Sequence, residues 1–185
     1  MRRITTIGLA AACAIVLAAP AAQAEERVCR GSLGAITVDN LRVPDRATCS
    51  LDGTIVKGTI KVESRATLVA EAVRVVGNVQ AENARKVVVR AGSRVGGSVQ
   101  IVQGAIGRVA RTRVQGDILF DDQDGKVAAI RTTVGGSIQA FQNTGGVEIR
   151  GNRVDGNLQC KQNHPAPVGQ YNVVDGNKED QCAKL

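Results

Sequence analysis

Val95-Gly96-Gly97-Ser98-Val99-Gln100 and Val134-Gly135-Gly136-Ser137-Ile138-Gln139 are two copies of one phrase: valine, any residue, glycine, a small polar residue, an aliphatic residue, glutamine. It returns as Val75-Val76-Gly77-Asn78-Val79-Gln80, Val114-Gln115-Gly116-Asp117-Ile118-Leu119 and Val154-Asp155-Gly156-Asn157-Leu158-Gln159. A weaker copy opens the series at Val56-Lys57-Gly58-Thr59-Ile60-Lys61, and a degraded one closes it at Val174-Asp175-Gly176-Asn177-Lys178-Glu179. The phrase glycines lie 19 or 20 residues apart throughout. Repetition at this period marks stacked turns, none of which can bury its apolar face alone.

Aligned on the glycine, the copies give columns. Two residues before it every copy has valine, and two after it stand Ile60, Val79, Val99, Ile118, Ile138 and Leu158. Four after it come Val62, Ala81, Ile101, Phe120, Ala140 and Cys160. This alternation predicts a strand with one buried face, and it turns Lys61, Gln80, Gln100, Leu119, Gln139, Gln159 and Glu179 outward. A second apolar patch about eleven residues after the glycine, such as Val87 to Val89 or Val127 to Ile130, predicts a further strand in each turn.

No stretch combines helical periodicity with caps. The fold class expected is therefore all-β: a single-domain parallel β-solenoid (β-helix) of about seven layers of 19 or 20 residues. Residues 25–55 read as an N-terminal cap with a divergent first layer, 56–162 as the repeats, and 163–185 as a C-terminal loop and cap, because a terminal layer has one face without a neighbour. Lys178, Glu179 and Asp180 replace core residues there and end the hydrophobic column. The phrase glycine is expected at a corner whose backbone angles resist a side chain. Asn78, Ser98, Asp117, Ser137, Asn157 and Asn177 are expected to bond local backbone or one another from layer to layer, with glutamine ladders outside.

Ahead of the repeats, Arg2-Arg3, an apolar run from Ile7 to Ala19, and Ala22-Gln23-Ala24 form the three parts of a secretory signal peptide, residues 1–24. Its removal leaves 22 basic against 17 acidic residues, so the charge falls from +7 to +5. A moderately basic chain suits contact with an anionic surface, although scattered arginine gives the same total. The mature chain holds Cys29, Cys49, Cys160 and Cys182. An even count in an exported chain reads as two disulfides, and the separations of about one repeat favour Cys29–Cys49 and Cys160–Cys182 over the other pairings. Neither separation suits a zinc knuckle. The expected location is secreted or periplasmic, with no transmembrane segment in the mature chain.

The spaced Val-x-Gly-[Asn/Ser/Asp]-[Val/Ile/Leu] phrase over about residues 54 to 160 resembles bactofilins, bacterial scaffold proteins that polymerise end to end. The resemblance implies a right-handed β-helical core and a bacterial origin. This chain departs from that family in its export signal and in the cysteines at both ends.

Chemistry-bearing constellations are few. His164 sits beside prolines with no nucleophile pattern. Asp121-Asp122-Gln123-Asp124-Gly125 reads as a solvated turn; it lacks the spacing of an EF-hand and is not repeated as a calcium-binding β-roll requires. Three residues before successive glycines, however, stand Arg74, Arg94, Arg113, Thr133 and Arg153. Arginines at single-layer spacing repel unless acids such as Asp117, Asp155 or Glu82, or a bound anion, intervene. The expectation is a non-enzymatic, exported solenoid with a structural or surface-binding role, monomeric and without metal or cofactor. Its candidate anion-binding residues are Arg74, Arg94, Arg113 and Arg153. The partner expected is an anionic polysaccharide or envelope surface, with no sequence-specific nucleic acid, since base-stacking aromatics are missing. The competing reading is an exported carbohydrate-active enzyme, a polysaccharide lyase or hydrolase, on a short β-helix.

Overall fold

A computed structural model describes residues 25–185, and the signal-peptide reading of residues 1–24 lies outside the described residues. The chain winds as a parallel β-solenoid whose turns each contribute one strand to three sheets of nine, eight and eight strands. One turn runs Val79–Glu82 in the first sheet, Lys86–Arg90 in the second and Arg94–Val95 in the third; the next begins at Val99–Val102. Each strand pairs in parallel with its equivalents one turn away, as Val79 with Ile60 and Val99, or Val88 with Val69 and Arg108. No helix among the described residues is long and apolar enough to cross a membrane.

There are about eight turns, one more than the glycine phrase counts. The extra turn comes from the divergent start. Glu26–Val28, Gly31–Leu33 and Thr37–Val38 complete one turn, and Asn40–Val43, Thr48–Asp52 and Ile55–Val56 a second.

The repeated phrase is a corner and not one strand. Val95 closes a third-sheet strand, Gly96 to Ser98 turn the chain, and Val99 opens a first-sheet strand. Alternation survives the corner because both sheets face one interior. That interior is a set of aliphatic columns at or near zero exposure, such as Val75, Val95, Val114, Val134 and Val154 from the third sheet. Phe120 is the one large aromatic in the core, and the second sheet makes room for it at Gly107, where a Cβ would stand 3.0 Å from the ring.

The phrase glycines do not supply unusual backbone angles. Left-handed φ falls instead on the other two corners of each turn, at residues such as Asn83 (54°), Ala91 (53°), Arg111 (51°) and Arg131 (51°). Gly97 is needed for close approach: a Cβ there would collide with the Asn78 side-chain oxygen of the preceding turn. That oxygen belongs to the expected ladder. The Asn78 side chain accepts from the Ser98 backbone N–H (2.8 Å), Ser98 from Asp117 (3.0 Å), Asp117 from Ser137 (2.7 Å), Ser137 from Asn157 (3.0 Å) and Asn157 from Asn177 (2.9 Å). The small polar residue caps the N–H of its successor, and the glycine lets the turns close over it. Outside, Gln80 donates to Gln100 (3.3 Å) and Gln139 to Gln159 (2.9 Å), as their spacing predicts.

Two further ladders run inside. Asn143 donates to Asn163 (2.8 Å) at one corner, and Asn152 to Asn172 (3.0 Å) at another; all four are buried. The first ends on Gln181, whose side-chain oxygen accepts from Asn163. At the C-terminal end Lys178 pairs with Leu158 but is exposed, so charge replaces the aliphatic column there. Cys29 and Cys49 lie with Cα atoms 5.6 Å apart and Cys160 and Cys182 5.2 Å apart, each pair at disulfide distance and buried at one end of the rod.

Candidate anion-binding site

The third sheet is the narrowest, with two-residue strands in which one side chain points inward and its neighbour outward. Valine fills the inward position, so the outward residue carries all the chemistry of this face. In-register pairing places Arg74 beside Arg94, Arg94 beside Arg113, Arg113 beside Thr133, and Thr133 beside Arg153. Successive backbones are ~4.8 Å apart across such a ladder. The arginines are all exposed.

The structure divides the column. Arg153 is neutralised by Asp175 at 2.8 Å and Asp155 at 3.8 Å. Arg74, Arg94 and Arg113 form no ion pair with any described residue. Of the acids considered as counter-charges, Asp117 accepts the Ser137 N–H in the corner ladder and Glu82 belongs to a first-sheet strand; only Asp155 approaches an arginine of the column. Two guanidinium groups one turn apart repel by about 1 kcal/mol in water-like dielectric, so three in succession favour a bound anion.

These arginines line a shallow groove of about 480 Å³ with Val76, Gly96 and Gln115. Val76 is 53% exposed, and Gly96 packs against its backbone, where a Cβ would collide with the Val76 carbonyl oxygen. Arg111 and Arg131 stand at the corner that leads into this sheet. Each occupies a left-handed corner position two residues before Arg113 or Thr133, is exposed, and forms no ion pair among the described residues. Sequence reasoning passed over them because they fall outside the glycine phrase, although their spacing of 20 residues was visible.

The remaining candidates separate from this face. His164 is exposed, its backbone N–H donating to the Asn143 carbonyl at 2.8 Å. The acidic stretch is a corner: Asp122 is left-handed (φ 55°), and the Gln123 side chain turns inward to donate to the carbonyls of Ile101 (2.9 Å) and Asp121 (2.7 Å). Burial, and then the charge of Asp122, hold the Asp121 carboxyl above its ordinary value of 3.8. Among the described residues, no group of three His, Cys, Asp or Glu side chains is placed to hold a metal ion.

No family model, curated protein or solved structure matches the chain. The class that fold and groove define is thus a parallel β-solenoid with two cystine-distance pairs and one basic face, and the cysteine pairs fit an exported chain.

Proposed function

We propose that the protein is a non-enzymatic, exported solenoid, bactofilin-like in its repeat and adapted to the periplasm or cell exterior, whose third-sheet face binds an anionic envelope polymer. The carrying observation is the column of Arg74, Arg94 and Arg113, in register, exposed and without acidic partners among the described residues. Rigid β-backbone holds the guanidinium groups at fixed spacing, so a polyanion laid along the axis engages several at once and gains avidity from each. Arg153, considered for the same role, is better read as a structural ion pair.

Replacing Arg74, Arg94 and Arg113 together by glutamine is expected to weaken binding to acidic polysaccharide and to lower the salt slope by about one per arginine removed. Equal binding by wild type and triple variant at every salt concentration overturns the reading. The same incubations separate the enzymatic alternative: new reducing or unsaturated ends, lost on changing Asp121, Asp122 or Asp124, would establish turnover instead. The charged final strand and the two end cystines oppose end-to-end stacking, which makes the oxidised protein a monomer.

A further inference from the structure

We infer that the groove selects a linear polyuronate, a chain of uronic acid sugars with one carboxylate per ring, lying parallel to the solenoid axis across three turns. This rests on the anion-binding reading above and adds the ligand's chemistry, direction and length.

Direction follows from the ladder. The unpaired arginines stand one above another along the axis, so one extended strand parallel to that axis meets all of them. Length follows from the ends of the column. On the N-terminal side Arg74 is in register with the exposed Ile55, which offers no charge. On the C-terminal side Arg113 is followed by Thr133, and then by Arg153, already held by Asp155 and Asp175. The free cations of the column therefore span three consecutive turns, about 10 Å from first to third at ~4.8 Å per turn.

Chemistry follows from the period and the floor. A guanidinium is a planar fork that takes a carboxylate through two parallel N–H donors. One carboxylate per turn requires a repeat close to one turn in depth, which a single pyranose ring provides. A strand of duplex nucleic acid instead places a phosphate every ~3.4 Å along the axis, out of step with these turns. The groove also contains no aromatic residue on which a base would stack. Its floor, with the exposed Val76 side chain, accepts the C–H face of a sugar ring.

The test is calorimetric titration of the oxidised protein with oligogalacturonates of increasing length. Their methyl esters, inorganic polyphosphate and oligothymidylate are the comparison ligands. Affinity is expected to rise until the oligomer spans three turns, roughly three to four sugars, and then to flatten, since the track is bounded at ~4.8 Å per turn. Methyl esters should not bind. Arg94→Gln should weaken binding about tenfold, as loss of one bidentate charge-assisted contact implies, whereas Arg153→Gln should change it less than about twofold. Affinity that climbs without a plateau overturns the three-turn track. Polyphosphate or oligothymidylate binding as tightly as the uronate, with the same loss on Arg94→Gln, overturns the polyuronate while leaving the anion-binding face intact. Absence of binding to every polyanion removes both.

Discussion

The two halves of the rod are wound from the same repeat but finish their inner corners differently. Toward the N-terminus the corner positions hold Ala47, Ala66 and Ala84 at one edge and Thr54, Val73, Ser93 and Thr112 at another, none of them an amide. Toward the C-terminus the equivalent positions hold Gln123, Asn143 and Asn163, and Asn152 and Asn172, whose amides hydrogen-bond from turn to turn. The outer face changes with them, from three unpaired arginines to an Arg153 fixed by two aspartates. An amide ladder supplies both donors and acceptors to corner backbone from turn to turn, so the C-terminal half is stiffened by amide hydrogen bonds at both corners. The N-terminal half relies on apolar packing at one corner and on the hydroxyl hydrogen bonds of Thr54, Ser93 and Thr112 at the other. The boundary is visible at Gln123, which donates to two carbonyls while its own buried side-chain oxygen has no partner among the described residues.

The largest expected effect tests that difference directly. The Asn152 side chain accepts from the Thr132 N–H (2.9 Å) and donates to the Ala129 carbonyl (2.8 Å) and to Asn172 (3.0 Å). Truncation to alanine strands the Thr132 N–H and removes a donor from the Ala129 carbonyl on the preceding turn, while the Asn172 side-chain oxygen keeps only the Asn152 backbone N–H (3.1 Å). It should cost ~3–4 kcal/mol. Ser93→Ala, in the same column of the N-terminal half, removes one hydroxyl that accepts from Val73 (3.2 Å) and should cost ~1–2 kcal/mol. Equilibrium urea unfolding of both variants is the measurement. Equal costs would show that the ladder adds nothing beyond ordinary corner bonding.

The repeat itself was legible because a stacked fold writes each structural requirement many times. The inward valines, the corner ladder after the glycine and the outer glutamine pairs each recur in column. What escaped was whatever the period-two pattern hides. A corner between two sheets that face one core keeps the alternation of a single strand, so Arg94–Val95 and Val99–Val102 read as continuous. The role of Gly97 was misassigned because a glycine needed for clearance and one needed for positive φ are written with the same letter. The inner ladders lay in view as Asn143 with Asn163 and Asn152 with Asn172, each 20 apart, but asparagine between strands also spells a turn. The groove was half visible: the arginine column could be counted, while the ion pairs that remove Arg153 from it depend on which acids stack beside it.

A smaller effect probes the place where the halves meet. Phe120 in the first sheet occupies space left by Gly107 in the second, and a Cβ on Gly107 would come within 3.0 Å of the ring and 3.2 Å of Ile101. Gly107→Ala should therefore cost about 1–3 kcal/mol through overpacking. In a Phe120→Leu background the added methyl fills volume given up by the ring, and the same substitution should cost at least about 1 kcal/mol less. Additive costs in the double-mutant cycle would mean that the backbone, and not the ring, dictates glycine there.

The smallest effect separates two carboxylates of the C-terminal half by pH. Glu148 is held below its ordinary value of 4.5, first by the hydrogen bond from Lys126 at 3.0 Å and further by the charges of Lys126, Arg150 and Arg108, with burial opposing. A depressed folded-state pKa means that the unfolded chain binds the proton more readily. The stabilisation by Glu148 is therefore complete above its ordinary value and disappears as pH falls through the folded one. Asp121 has the opposite sign: burial and Asp122 raise it above 3.8, so the folded chain holds the proton longer. Its penalty is absent below the ordinary value and is complete once pH has risen past the folded pKa. Glu148→Gln should lower the melting temperature near pH 7 by about 1–2 °C, as a half-exposed pair worth roughly 0.5 kcal/mol implies for a chain of this size. Asp121→Asn should raise it at the same pH. Both differences should vanish at the acid end of a thermal-melt series, where each carboxyl carries its proton in either state. Asp121→Asn lowering the melting temperature at neutral pH would show that the carboxylate is held by a favourable partner, and the acidic corner would then be a site and not a turn.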